Sequence, residues 1–232
     1  MNKQKKDGNI SWTDWTWNPV KRLCPVGCFY CYARAMYKRF KLPPEIRWDG
    51  RISILSNKKP SKIFVCSTIE IFHPSVKAEW RNRIFKIIEL NPQHTFQILT
   101  KMPENIDRPM PDNVWLGISV TNPPTYHRKI NNLRAIKAKI KFMSIEPLLS
   151  LLQVLDGVGK TKFRSFIDIP GWLDWVIVGR LTGYGKKRDP KKYWIESIVR
   201  KCEEANIPIF LKNNLKEIWD EKLIQEFPDA NL

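Results

Sequence analysis

The chain has 232 residues, 43% hydrophobic and 27% charged, with 40 Lys and Arg against 23 Asp and Glu for a formal charge of +17. That length can bury a full core, the composition is that of a globular protein, and no apolar run is long enough to cross a bilayer, which excludes a transmembrane protein. So large an excess of cations attracts polyanions and makes nucleic acid an expected partner, the alternative being a solvated, lysine-rich surface.

The opening stretch, MNKQKKDGNISW, is basic and lacks the apolar core and cleavage site of a secretory signal, so the protein is expected in the cytoplasm, with its thiols reduced. SWTDWTWNPV reads as an alternating strand with Trp15 and Trp17 on one face, and its tryptophans are expected to cover one end of the core. Cys24, Cys28 and Cys31 then fall within eight residues and run into a basic, aromatic stretch, to Phe40, that can wind as a helix. Residues 41–60 hold Pro43, Pro44 and Gly50 with too little periodicity to assign, and read as a surface excursion.

Beyond the excursion, short β-type runs alternate with helical spacing. The strands are expected in KIFVCSTIEIFH (Ile63 to Cys66), TFQILTK, VWLGISVTN, IKFMSIEP, DWVIVGRLTG and IPIFLKNN, with helices in AEWRNRIFKIIEL and YWIESIVRKCEEAN. Strands apolar on both faces, alternating with helices, predict an α/β fold with a parallel sheet, either barrel-like or doubly wound.

Each run closes on polar residues: Ser67, Thr68 and Glu70; Thr100 and Lys101; Ser119 and Thr121; Ser144 and Glu146; Arg180 and Thr182; Lys212 and Asn213. Any one of these reads better as a cap or turn, but the set suggests a ring of functional groups where parallel sheets bind ligands, at the carboxyl ends of their strands. Lys101, Arg180 and Lys212 are candidates for holding phosphate or carboxylate on a substrate, or for ion pairs with a neighbouring Glu. GYGKKRDPKKYW sets five Lys or Arg near Tyr184, Tyr193 and Trp194, which reads as a charge-plus-stacking nucleic acid surface or as a solvated loop.

In a reducing compartment the C-x-x-x-C-x-x-C spacing points to metal or redox chemistry before disulfides. Three thiolates in a short loop can take three irons of a cubane cluster and leave the fourth without a protein ligand. Zinc needs a fourth ligand, from Cys66, Cys202, His73, His94 or His127, and no second C-x-x-C or paired His motif offers one at the expected spacing. Cys66 and Cys202 lie among apolar residues and read as small buried hydrophobes.

The spacing, with Tyr30 directly before the third cysteine, resembles the signature of radical S-adenosylmethionine (radical SAM) enzymes. Across most of the chain, the blocks SWTDWTWNPV, CYARAM, EIFHPSV, HTFQILTKMPEN, VWLGISVTN, FMSIEPLL, DWVIVG and IPIFLK are similar, in order, to an uncharacterised phage-associated family with a three-cysteine motif, regarded as radical-SAM-like. The resemblance implies a [4Fe-4S] cluster on Cys24, Cys28 and Cys31 that cleaves S-adenosylmethionine reductively, giving a 5'-deoxyadenosyl radical that abstracts hydrogen from a substrate. It also implies a single full or partial parallel (β/α) barrel over residues 1–232, with 1–17 as an N-terminal extension, and a flavodoxin- or ferredoxin-like electron donor.

On that resemblance Ser67, Thr68 and Glu70 lie beside the cofactor's ammonium, and Ser119 and Thr121 bond its ribose hydroxyls. Gly179 and Tyr30 adjoin its adenine, and Glu146 binds ribose or positions the substrate. Two departures stand out. The first two cysteines have the shorter superfamily gap, and a Gly-Gly-Glu-Ser-Gly run of the family reads Gly179, Arg180, Leu181, Thr182, Gly183 here. The expected function is a radical enzyme that modifies or repairs nucleic acid or nucleotide. A non-catalytic nucleic-acid-binding protein stapled by zinc stays open, as does radical chemistry on a protein or small molecule.

Overall fold

The structure, a computed structural model, describes residues 1–8, 10–50, 59–156, 163–166 and 168–229. In chain order its elements are β1 (Asn2–Lys3), β2 (Trp15–Trp17), β3 (Val20–Lys21), α1 (Tyr32–Arg39), β4 (Arg47–Trp48), β5 (Lys62–Val65), α2 (Ala78–Glu89), β6 (Thr95–Thr100), β7 (Val114–Val120), α3 (Pro123–Ala135), β8 (Ile140–Ile145), β9 (Gln153–Asp156), β10 (Phe163–Phe166), β11 (Trp175–Val178), α4 (Lys192–Glu204) and β12 (Ile209–Leu211). Eight strands form one sheet in the order β1-β2-β5-β6-β7-β8-β11-β12. β1 is antiparallel to β2, while β2–β5, β5–β6, β8–β11 and β11–β12 are parallel, so the fold is α/β with a mostly parallel sheet. β3–β4 and β9–β10 are separate antiparallel pairs. Among the described residues no helix is long and apolar enough to cross a membrane.

The contacts divide the chain into two compact units, Met1–Gly117 with Asn132–Lys139, and Ile118–Asn131 with Ile140–Leu232. In the first, Trp17 stands level with Val65, and Val65 with Ile98, so the residues that follow these strands leave the sheet along one rim. The core forms because α2 returns Ile84, Phe85, Ile87 and Ile88 to one face, each such buried side chain contributing about 1.5–3 kcal/mol. Trp12 packs on Phe64 at 4.7 Å and Trp17 meets Phe96 edge-on at 6.3 Å, so these two tryptophans cover core as expected, while Trp15 is half-buried. The stretch read as an N-terminal extension supplies β1 and β2, because Trp15–Trp17 pairs directly with β5.

In the second unit Ile145, Val178 and Leu211 stand level, giving that unit its own carboxyl rim. Trp175 is fully buried against Phe142, Phe210 and Phe227. Ile195, Ile198, Val199 and Cys202 form the buried face of α4, and burial pushes the Cys202 thiol up to about 12, as suits a small core residue. Beyond β12, Ile224 accepts from Leu211 N at 2.7 Å and Glu226 N donates to Ile209 O at 3.0 Å, so a terminal segment covers the sheet's last strand.

Three features depart from the sequence reading. Within residues 41–60, Arg47–Trp48 pairs with Val20–Lys21, and residues 51–58 lie outside the described residues. The strand expected to reach Cys66 ends at Val65, because Cys66 turns the chain at φ 55. The third is α3, which was not anticipated: Asn122 Oδ1 accepts from Thr125 N at 3.1 Å across Pro123 and Pro124, and Tyr126 and Ile130 are buried one turn apart.

Candidate functional site

After β3 the chain passes through two left-handed residues, Arg22 at φ 102 and Gly27 at φ 73, the glycine allowing the turn between Cys24 and Cys28. Cys31 N donates to Cys28 O at 3.1 Å and Cys31 then occupies the N-cap of α1, which sets all three thiols in one loop at the start of that helix. Arg34 Nη2 donates to Cys24 O at 2.8 Å and Arg22 N to the Tyr37 hydroxyl at 3.1 Å, tying the helix back onto the loop. The three thiols are free and half-buried.

Cys24 Sγ accepts the backbone N–H of Glu70 at 3.4 Å. Burial nevertheless raises the Cys24 thiol above its ordinary value, opposed by the N–H groups of Glu70 and Val26. The Tyr30 phenol is pushed up as well, first by burial and then by Cys28, with which it hydrogen-bonds. Tyr30 therefore touches a cysteine expected to bind metal.

Glu70 joins this loop to the ends of two strands. It is 5% exposed, and its Oε1 accepts from Thr100 Oγ1 at 2.7 Å and Phe72 N at 3.2 Å, while Oε2 accepts from Lys101 N at 2.6 Å. With three donors in place the carboxylate braces the rim, a different task from the ammonium contact expected of it. Ser67 exchanges hydrogen bonds with the Asn18 side chain at 3.1 and 3.2 Å. Thr68 is the one of the trio whose hydroxyl is buried without a hydrogen-bond partner. Cys66 is buried behind them, its thiol pushed up to about 12 by that burial.

Among the described residues no three His, Cys, Asp or Glu side chains converge as a ready-made metal cage. The donor chemistry of the loop still suits an iron–sulfur cluster: three thiols outside any disulfide, one of them already receiving an N–H, and thiols lose their protons on coordination.

In the second unit Ser119 and Thr121 are buried at the end of β7. Ser119 O accepts from the buried Lys129 ammonium, and Thr121 N donates to Thr125 Oγ1 at 2.9 Å. Glu146 and Lys212 form an ion pair directly over Gly179, where an added Cβ would lie 2.9 Å from Lys212 Cδ and 3.1 Å from Glu146 Cδ. The open backbone expected to admit adenine is thus filled by this pair. Arg180 bonds Asp189 at 2.9 Å and Glu217 at 3.0 Å, beside an open cavity of about 210 Å³ that Thr182 and Lys186 also line. For Lys212 and Arg180 the ion-pair alternative is what the fold adopts. The partners Asp189, Glu217 and Asn214, the last accepting from Arg180 N at 3.3 Å, escaped the sequence reading because no spacing links them to Arg180.

Residues 7–222 match a family described as "Protein of unknown function (DUF5131)". The chain belongs to the DUF5131 family. Neither the curated proteins nor the solved structures compared with it give a match. The DUF5131 span takes in the cysteine loop, Glu70, Arg180 and Lys212, and ends before the Ile224–Glu226 segment that covers β12.

Proposed function

We propose that this DUF5131 protein is a radical SAM enzyme that modifies or repairs a nucleic acid or nucleotide, with a [4Fe-4S] cluster held by Cys24, Cys28 and Cys31. The observation that carries the reading is the cysteine loop itself: three free thiols, with Cys24 Sγ bonded by the Glu70 N–H at the carboxyl ends of β5 and β6. Cys24, Cys28 and Cys31 would hold three irons of the cluster and would leave the fourth without a protein ligand, open to S-adenosylmethionine. When bound, the group supplies reductive cleavage of that cofactor and hydrogen abstraction from the substrate, the electron coming from a flavodoxin- or ferredoxin-like donor. On this reading the alternation of strands and helices is a full or partial (β/α) barrel.

The chain's own residues then have separable tasks. The Glu70 N–H stabilises negative charge on the Cys24 sulfur, and the Glu70 carboxylate holds Thr100 Oγ1 and Lys101 N in place. Arg34 fixes the loop through Cys24 O. Thr68 Oγ1, buried and unpartnered, is the acceptor open to the cofactor's ammonium, a role better suited to it than to the engaged Glu70. The net charge of +17 favours a polyanionic substrate.

Anaerobic reconstitution tests the proposal. The expected result is a brown protein with about four irons per chain that, given S-adenosylmethionine and a reductant, releases 5'-deoxyadenosine, faster with DNA or RNA present, and Cys28→Ala removes both the iron and the release. Reconstituted protein that takes up no iron, or that holds a single zinc with four protein ligands, overturns it.

A further inference from the structure

Tyr32 and Met36 on α1 and Phe40 at its C-cap recur every four residues, and Phe29 precedes them in the cysteine loop. All four are exposed, Phe29 at 55%, Tyr32 at 58% and Phe40 at 61%, while α1 buries Ala33 and Tyr37 on its other side. The helix therefore meets solvent with a stripe of aromatic and thioether side chains beside its cations Lys38 and Arg39.

The charge carried by the sequence segment that holds the stripe has one sign. Between Trp15 and Pro44 the sequence has Lys21, Arg22, Arg34, Lys38, Arg39 and Lys41 and no acidic residue. Lys21 is paired with Asp49 and Arg34 is bonded to Cys24 O, whereas Lys38, Arg39 and Lys41 are exposed, with the Arg39 guanidinium 5.6 Å from the Phe40 ring centre. The second unit repeats the combination, with Arg188 5.8 Å from the exposed Tyr184 ring and Lys191 5.9 Å from the exposed Tyr193 ring.

An acidic protein would answer the charge but not the repeated exposed rings. An anionic bilayer takes up a helix whose charged and apolar faces are opposed, whereas α1 buries Ala33 and Tyr37 opposite its exposed rings. A polymer with regular anions and flat apolar faces answers both features. We propose that the Phe29–Phe40 face binds single-stranded nucleic acid, with bases stacked on Phe29, Tyr32 and Phe40 and phosphates on Lys38, Arg39 and Lys41. This takes up the polyanionic substrate class of the proposed function and narrows it, but rests on charge and exposed rings and not on the cluster.

The test is fluorescence anisotropy with a labelled oligo-dT strand and the full chain over a range of salt, with iron content and circular dichroism recorded on each sample. The strand is expected to bind, and Phe29→Ala with Phe40→Ala weakens it about tenfold or more at an unchanged salt slope. Lys38→Gln, Arg39→Gln and Lys41→Gln together flatten the slope of log K against log salt by about 2. The proposal falls if the strand is not bound, if both folded variants bind like the parent, or if phosphatidylserine vesicles but not the strand engage this face. Binding that persists in iron-free protein separates the two readings: a chain that takes no iron removes the enzyme and keeps this surface, and lost stripe dependence with iron retained does the reverse.

Discussion

In the first unit the buried acid Glu70 is met by a hydroxyl and two backbone N–H groups, whereas in the second Glu146 is met by the Lys212 ammonium and Arg180 by two carboxylates. The distinction separates architecture from exchangeable chemistry. Backbone donors cannot swing away, so Glu70 is committed to holding the strand ends beside the cysteine loop. Side-chain ions can part from one another at a cost, so the contacts of Lys212 and Arg180 are exchangeable where those of Glu70 are not.

The comparison is most exposed to Glu70→Ala, which leaves Thr100 Oγ1 and Lys101 N without their acceptor in a buried place. A loss of about 3 kcal/mol or more is expected in urea unfolding, and a loss below about 1 kcal/mol would mean that the brace is incidental. A smaller effect, about 1–3 kcal/mol, is expected for Gly179→Ala, whose Cβ intrudes on the Lys212–Glu146 pair. Combined with Lys212→Ala the loss should fall short of the sum of the two single losses, and strict additivity would show that the pair does not close over Gly179. Smallest is Arg180→Lys, expected to cost about 0.5–1 kcal/mol by thermal melting, because Glu217 is 63% exposed and only the Asp189 contact is sheltered. A loss as large as that for Glu70→Ala would show the ions of the second rim to be as fixed as the first.

Much of the sheet was legible because its strands are short, apolar on both faces and closed by polar residues. β6 and β8 fall within TFQILTK and IKFMSIEP. The two-residue strands β3 and β4 were not legible, since so short a pair carries no period and is made only by the pairing of Val20 with Trp48 and of Lys21 with Arg47. α3 did carry a signal, Asn122 before two prolines with Tyr126 and Ile130 a turn apart, but the buried Lys129 interrupts its apolar stripe. The cysteine spacing marked the loop, and the loop lies at a strand-end rim. What the chain could not disclose was how each polar strand end spends its hydrogen bonds. Glu70 and Thr100 lie 30 residues apart, and Glu146 and Lys212 66 apart, so those partnerships exist only once the sheet is assembled.

The short segment on the far side of β12 has a consequence for the whole molecule. Ile224–Glu226 occupies the hydrogen-bonding margin of the last strand, and Phe227 anchors it on Trp175 and Phe210 at ring-centre distances of 5.3 Å. A proteolytic nick between Leu211 and Ile224 would strip that seal and turn a finished border into an acceptor for a stray polypeptide, so self-association of damaged protein should begin there.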